Sequence, residues 1–326
     1  MRIVLTAAIA ALALGSTASL AQPGPANYPA KPIALLTPFA PGAGPDLYMR
    51  PLAVKLGEQL GQPVLIDSKI GAGGALAVLQ TARSAPDGYT MSVVTNANLI
   101  QPLVQPSIGY DAVADLAQIT RLNASSAVLV VSSASPIVRV EDLVAAAKAS
   151  PGKLNYGSGG VGTPSHLSSA TLQFLAGINI VHIPFKSAND VVPSLIRGDI
   201  QFAFQVISFA APFVRSGKLR VLATTSAGRS REFPEAPTMN ELLKNELFVQ
   251  ESWTGLAFPA KTPVTIVRRL HAEIVKAFTD ATVQKGLEAG GVTAALSEGP
   301  EQHSEYVRRE AEKWRQIVKV SGIKPE

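Results

Sequence analysis

The chain has 326 residues, enough at about 100 to 200 per domain for two domains, or one large domain, with an ample core. It contains no Cys, which excludes a disulfide scaffold, thiol catalysis, Cys-ligated zinc and iron–sulfur clusters. Hydrophobic residues make up 47% and charged residues 16%, the reverse of a disordered composition, and the net charge of +5 is spread along the chain. A nucleic-acid binder would instead show a dense basic patch interleaved with aromatics.

Arg2, the apolar run Ile3 to Leu14, and the small residues ending in Ser19-Leu20-Ala21 form the pattern of a secretory signal, with cleavage expected after Ala21. Twelve apolar residues fall short of the roughly 20 needed to span a bilayer. With no Cys at the cleavage point, a lipid anchor is excluded, so a soluble, exported, periplasmic chain is expected. Export lowers the expectation of NAD or ATP chemistry. Residues 22–30, rich in Pro, Gly and Ala, read as a flexible leader.

Short aliphatic runs then alternate with helical patterns, the signature of βαβ units and a largely parallel sheet. Strands are expected at 33–36, 64–66, 90–94, 128–132, 154–156, 180–183, 200–204 and 221–225. Helices are expected at 46–60, 75–84 and 140–149, from Ser165, from Ser187, and at 265–281 and 300–320. This is too many strands for one small sheet. Two lobes with a ligand cleft between them is the natural packing, because open α/β sheets bind ligands beyond the carboxyl ends of their strands.

Three glycine-rich turns follow strands. The first, Pro38 to Asp46, holds Gly42, Ala43 and Gly44; small residues let backbone N–H groups approach a ligand, and the following helix presents unpaired donors. Asp46 reads first as the N-cap of that helix and second as a ligand contact. The second turn is Lys69 to Gly74, which reads equally as a plain tight loop. The third, Asn155 to His166, adds the hydroxyls of Ser158, Thr163 and Ser165, a donor set suited to a carboxylate. His166 opens a helix beside this loop and is a candidate cleft residue; His182, in an apolar strand, reads as a core histidine.

The third turn contains Gly157-x-Gly159-x-x-Gly162, the dinucleotide fingerprint, but the acidic residue needed about 20 positions on is missing. The first one, Asp190, comes 28 positions after Gly162. No Walker A sequence occurs. The four histidines, His166, His182, His271 and His303, have no metal-site spacing, and Tyr156 stands where a GxSxG elbow needs glycine. No nucleophile, base and metal set is assembled, so neither a cofactor nor a metal is expected.

Taken in order, these segments resemble the tripartite tricarboxylate transporter substrate-binding proteins, the Bug-type extracytoplasmic solute receptors. The matching pieces are Tyr28 to Ile33, Pro38 to Gly42 with Asp46 and Arg50, Gly71 to Gly74, Pro86 to Thr90, and Asn155 to Ser158 with Gly162, Thr163, His166 and Leu167. Later pieces are His182 to Lys186, Gly217 to Arg220, Ala223 to Ser226 with Arg229, Pro237-Thr238, Trp253 to Leu256, Pro259 and Thr262-Pro263. The resemblance implies a two-lobed Venus-flytrap fold like the type II periplasmic binding proteins, each lobe a mixed, mostly parallel sheet flanked by helices. Lobe one would hold residues 31–124 and 251–326, and lobe two 125–250, with crossings near 123–126 and 250–253.

The same resemblance implies a monomer that binds a small organic carboxylate and hands it to the membrane permease subunits of a tripartite transporter. Ligand contacts would fall on the backbone of Phe39, Pro41, Gly42, Ala43, Gly44, Ala72 and Gly73 in lobe one and on Ser158, Thr163 and His166 in lobe two. Two positions depart from the family pattern. Ala170 stands where the helix usually carries Glu, and Gln205 where a strand usually ends in Asp. A neutral Gln at the cleft floor points to a carboxylate without an ammonium group, aromatic or aliphatic. The alternatives are a sensor that presents its liganded form to a histidine kinase, and a secreted hydrolase or lyase on the same fold.

Overall fold

The computed structural model describes residues 28–42, 45–71, 74–185, 190–290 and 292–321. The expected signal sequence at 1–21 and residues 22–27 of the leader lie outside them. Strand β1 (Ile33–Thr37) is a near-continuous apolar run, the pattern of a strand covered on both faces. It pairs in parallel with β2 (Val64–Ser68) on one edge and β3 (Thr90–Thr95) on the other. Helix α1 (Asp46–Leu60) joins β1 to β2, buries Tyr48, Met49, Leu52 and Leu56, and stops at Gly61, whose φ of 69° lets its N–H reach the Gly57 carbonyl. Helix α2 (Ala75–Ala82) joins β2 to β3. Residues 28–30, expected in the flexible leader, are instead fastened down. Tyr28 is buried and donates to the Gly88 carbonyl at 2.5 Å, and the Ala30 N–H donates to Tyr89 Oη at 2.9 Å. Contacts reaching 60 residues along the chain hold residues 28–30 against the turn before β3, a pairing that local composition does not encode.

Two strands run between the halves of the molecule. β4 (Leu116–Ser132) is 17 residues long, whereas only its β-branched end from Val128 was expected. Its first part pairs antiparallel with β9 (Glu251–Pro259), from Leu116 opposite Pro259 to Ser126 opposite Glu251. Polar residues Gln118, Arg121, Asn123, Ser125 and Ser126 hide this part from a hydrophobicity pattern, and register shifts after Gln118 and Arg121 add local twist. Beyond Ser126, β4 changes partners. It pairs with β7 (Phe202–Val206) on one edge and β8 (Leu219–Thr224) on the other. β7 continues in parallel to β5 (Asn155–Ser158), and β5 to β6 (Val181–Pro184), while β10 (Thr293–Ala294) borders the first part of β4.

The result is two lobes, ordered β2-β1-β3-β9-β4 and β4-β7-β5-β6. Parallel pairing is confined to the outer strands, a smaller share than the βαβ alternation suggested. The physical reason is topological: strands that carry the chain out of a lobe and back into it must run in opposite directions.

Helices cover both faces. In the first lobe, α9 (Val264–Ala277) and α10 (Ala281–Ala289) pack with α1 over a core that includes Leu35, Leu52, Phe258 and Leu270. The helix expected at 265–281 ends at Ala277, and α10 beyond it was not foreseen: Asp280 accepts from the Thr282 N–H and starts a new helix. On the other face, α3 (Asn96–Val104) and α11 (Pro300–Ser321), the latter through its own Trp314 and Ile317, cover Val94 and Trp253. In the second lobe, α4 (Val140–Ala149), α5 (Pro164–Ala176) and α8 (Met239–Leu243) lie over Phe202, Phe204 and Phe248. There α6 (Val191–Arg197) and α7 (Ile207–Arg215) lie over Val128, Val130 and Ile200. The start of the helix expected from Ser187 lies outside the described residues. Each large aliphatic or aromatic side chain so buried is worth about 1.5–3 kcal/mol. Leu167 of α5 inserts into the Trp253 and Trp314 cluster of the first lobe, so α5 touches both lobes behind the crossing strands. None of the described helices is long and apolar enough to cross a membrane.

Candidate functional site

A cavity of about 720 Å³ opens at the carboxyl ends of β1, β2 and β3, where parallel sheets place their ligands. Its first-lobe wall is the β1–α1 loop (Pro38, Phe39, Pro45) and the β2–α2 loop (Ile70, Gly71, Gly74). Its floor is the crossing strands, through Asn123 and Ser125 of β4 and Ser252 to Thr254 of β9, and the second lobe contributes Val206 and Ser208. The volume falls within the roughly 300–1,000 Å³ of small-molecule sites. Two other cavities of similar volume, one beside Arg220 and Phe233 and one between α11 and residues 240–249, lie away from those strand ends.

The first loop is held by Asp46. Its Oδ2 accepts from the Gly42 N–H at 2.7 Å and from Arg50 Nε at 2.6 Å, and the carboxylate is buried. Asp46 is therefore not the helix N-cap that was expected, since Pro45 occupies that position. From the first turn it reaches back and ties the loop to α1. Phe39 donates from its N–H to Thr37 Oγ1 at 3.3 Å, and Pro41 and Gly42 are exposed at the loop tip. Ala43, Gly44, Ala72 and Gly73 lie outside the described residues.

A third element of this wall, the start of α3, was not foreseen from the sequence. Thr95, Asn96 and Ala97 line the cavity, and Thr95 and Asn98 form a reciprocal cap in which the Thr95 N–H donates to Asn98 Oδ1 at 2.9 Å. The Thr-x-x-Asn spacing was the available signal, close to the usual capping box. It turns the positive end of the helix dipole toward the cleft. The floor was also missed. Asn123 Nδ2 donates to Tyr48 Oη at 2.7 Å, and burial raises the pKa of the Tyr48 phenol, which stays protonated.

The third loop folds onto itself. Ser158 is fully buried; its Oγ lies 2.6 Å from His182 Nε2, donates to the Gly160 carbonyl at 3.0 Å and accepts from the Gly160 N–H at 3.1 Å. Thr163 Oγ1 donates to the same carbonyl at 2.7 Å. His166 Nδ1 accepts from the Gly162 N–H at 3.0 Å, and its ring stacks on His182 with centroids 4.0 Å apart, His182 in turn on Tyr156. Burial, reinforced by the neighbouring His182, lowers the His166 imidazole to about 4, and burial lowers His182 as well. Both rings are neutral at pH 7. His182 is thus more than a core histidine, because it anchors the hydroxyl at the end of β5.

Ser158, Thr163, His166 and Gln205 are not among the residues lining the 720 Å³ cavity. The first three bind the third loop together. Gln205 is buried beside Val128, and its neighbour Val206 is the residue that reaches the cleft. Gln205 therefore carries no geometric information about the ligand's charge. Alternation along β7 explains it, since successive side chains point to opposite faces. Behind the cleft, a chamber of about 40 Å³ shares Asn96, Val206 and Ser252 with it and reaches Ser168 and Gln250, room for about three waters.

Residues 48–323 match the family described as "Tripartite tricarboxylate transporter family receptor". The chain is 33% identical over 312 residues to Protein BugT of Bordetella pertussis, covering 95% of each. Among solved structures, a TctC solute binding protein from Polaromonas without ligand superposes with a TM-score of 0.79 at 28% identity, over 90% of this chain and 99% of that one. R. palustris Rpa4515 with adipate gives 0.76 at 26% identity, over 92% and 100%. MatC from Rhodopseudomonas palustris with bound malate gives 0.73 at 26% identity, over 89% and 100%. The match extends through the loops, crossing strands and C-terminal helices just described, and the chain belongs to the tripartite tricarboxylate transporter receptor family, with a Bug-type periplasmic binding protein fold.

Proposed function

We propose that the protein is a periplasmic receptor that takes a small carboxylate between its lobes and delivers it to the permease subunits of a tripartite transporter. The observation that carries this reading is the 720 Å³ cleft, walled by first-lobe loops and the α3 terminus and faced by Val206 and Ser208 of the second lobe. Relatives of the same fold were solved with adipate and with malate. Lobe one comprises 31–124 and 251–326, lobe two 125–250, and the hinge is where β4 exchanges β9 for β7 and β8. The Phe39 and Gly42 N–H groups are taken by Thr37 Oγ1 and Asp46 Oδ2, so the carboxylate is gripped by the N–H groups of the first turn of α3, between the two first-lobe loops that flank it. On closure, the loop carrying Ser158, Thr163 and His166, whose side chains brace one another, brings its backbone to the opposite side of the ligand.

Hydrogen bonds to a charged group contribute about 1.5–3 kcal/mol each, so four or five sustain a roughly micromolar Kd, near −8 kcal/mol, after ordering costs. Only the closed form makes both sets of contacts, so ligand shifts the population toward it. The reading is tested by thermal shift and calorimetry of the mature chain against mono-, di- and tricarboxylates. A stabilising acid whose amide analogue is inert is the expected result. Stabilisation by no carboxylate, or equal stabilisation by the amide, refutes it.

A further inference from the structure

The walls of the cleft select among carboxylates, and the inference rests on the receptor reading above. We propose that the solute is a carboxylic acid with an unsubstituted apolar body, aromatic, alicyclic or a plain carbon chain, and not a hydroxy acid or an amino acid. The described residues lining the cavity include no ionised side chain. Of the charged groups nearest to it, Asp46 spends its Oδ2 on Gly42 and Arg50. Glu251 lines the small chamber behind the cleft and not the cleft itself, with its Oε1 3.5 Å from Ser126 Oγ. No described carboxylate lines the cleft itself to meet an ammonium group.

Apolar side chains meet the body of the ligand from several elements. Phe39 and Ile70 come from the two first-lobe loops, Val292 from beside β10, and Val206 from the second lobe. Ile70 is 59% exposed, an aliphatic side chain left in water at the rim until something covers it. Polar groups are concentrated on the floor and on the first-lobe wall, and the Tyr48 and Asn123 pair is already mutually bonded. A carboxylate at the α3 terminus thus leaves the rest of the molecule against Ile70, Val206 and Val292. At that position a ring or methylene chain gains from desolvation, whereas a hydroxyl or ammonium group exchanges water for Ile70, Val206 and Val292, with Ser208 the one polar side chain that the described second-lobe residues add to the cavity lining.

Calorimetry with benzoate, cyclohexanecarboxylate, adipate, malate, citrate and glutamate tests this, with Ile70→Asn and Val206→Thr as variants. Ile70 is exposed, so its change leaves folding intact; Val206→Thr preserves shape. Expected is binding of at least one of the first three acids, at least tenfold tighter than malate, citrate or glutamate, and weakened at least fivefold by either variant. Tightest binding of malate, citrate or glutamate overturns the inference while leaving the receptor reading standing. So does apolar-acid affinity unaltered in both variants. Failure of all six acids, together with every other carboxylate screened, removes the receptor reading itself.

Discussion

Replacing Asp46 by Asn tests whether the carboxylate organises the first loop. One oxygen, Oδ2, accepts from Gly42 N–H at 2.7 Å and from Arg50 Nε at 2.6 Å. A hydrogen bond to a charged acceptor contributes about 1.5–3 kcal/mol and a neutral one about 0.5–1.5. The Asn variant retains a weakened Gly42 bond and forfeits about 1–2 kcal/mol there. The Arg50 side chain is 52% exposed, so solvent screening limits its share to less than about 1 kcal/mol. The other oxygen, Oδ1, is buried without a hydrogen-bond partner among the described residues, and the Asn amide donor placed there adds a desolvation cost of about 1 kcal/mol. The expected total is about 2–4 kcal/mol, read as a lower urea midpoint at constant m. Because the loop must then be ordered at the moment of binding, Kd for the acid identified by screening rises by about threefold to tenfold. Arg50→Ala, which spares the Gly42 bond, loses under about 1 kcal/mol and leaves Kd within about twofold. If Asp46→Asn behaves like Arg50→Ala in both measurements, the carboxylate does not hold the loop and the reasoning fails.

Three further outcomes are expected. Gly255→Ala places a methyl 2.5 Å from His303 Nε2 and 3.0 Å from the Thr120 carbonyl; the ring is locked between Trp253 and Tyr306, so overpacking costs at least about 2 kcal/mol, and a melting temperature equal to wild type would contradict it. Tyr48→Phe strips the acceptor from Asn123 Nδ2, for a loss of about 1–3 kcal/mol in denaturant titration; an unchanged midpoint would show that the pair does not brace the floor. Burial lowers His166 to about 4 and His303 to about 3. Between those values and the unperturbed 6.5 the unfolded chain binds protons that the folded chain does not, so stability is full above about pH 6.5 and falls as pH drops toward about 4. His303→Leu flattens this slope between about pH 6.5 and 4, and an unchanged slope would sink the assignment.

Much of the fold was legible because it is local. Ile33 to Leu36, Val64 to Ile66 and Thr90 to Val94 are strands that their own side chains specify, and Gly61 marks the end of α1 in sequence as in space. The elements that escaped depend on partners. The first part of β4 is extended because β9 bonds to it, in spite of six polar residues between Gln118 and Ser126. The α7 helix directly follows β7 with no intervening loop, so no Gly or Pro punctuated the change of period. For the site, the glycine-rich turns were visible as loops, but the polar atoms of the third loop are consumed by one another, as in Ser158 with His182, 24 residues away.

Periodicity and composition, read locally, determined the α/β class and pointed to two lobes, while the order of motifs along the chain carried the resemblance to the family. Which side chains face the solute was decided only by tertiary structure. Tyr48 meets Asn123 across 75 residues of sequence, and Val206 rather than Gln205 looks into the cleft. The physical reason is that strand pleat and the meeting of crossing strands assign each side chain to a face, and a one-residue shift reverses that assignment.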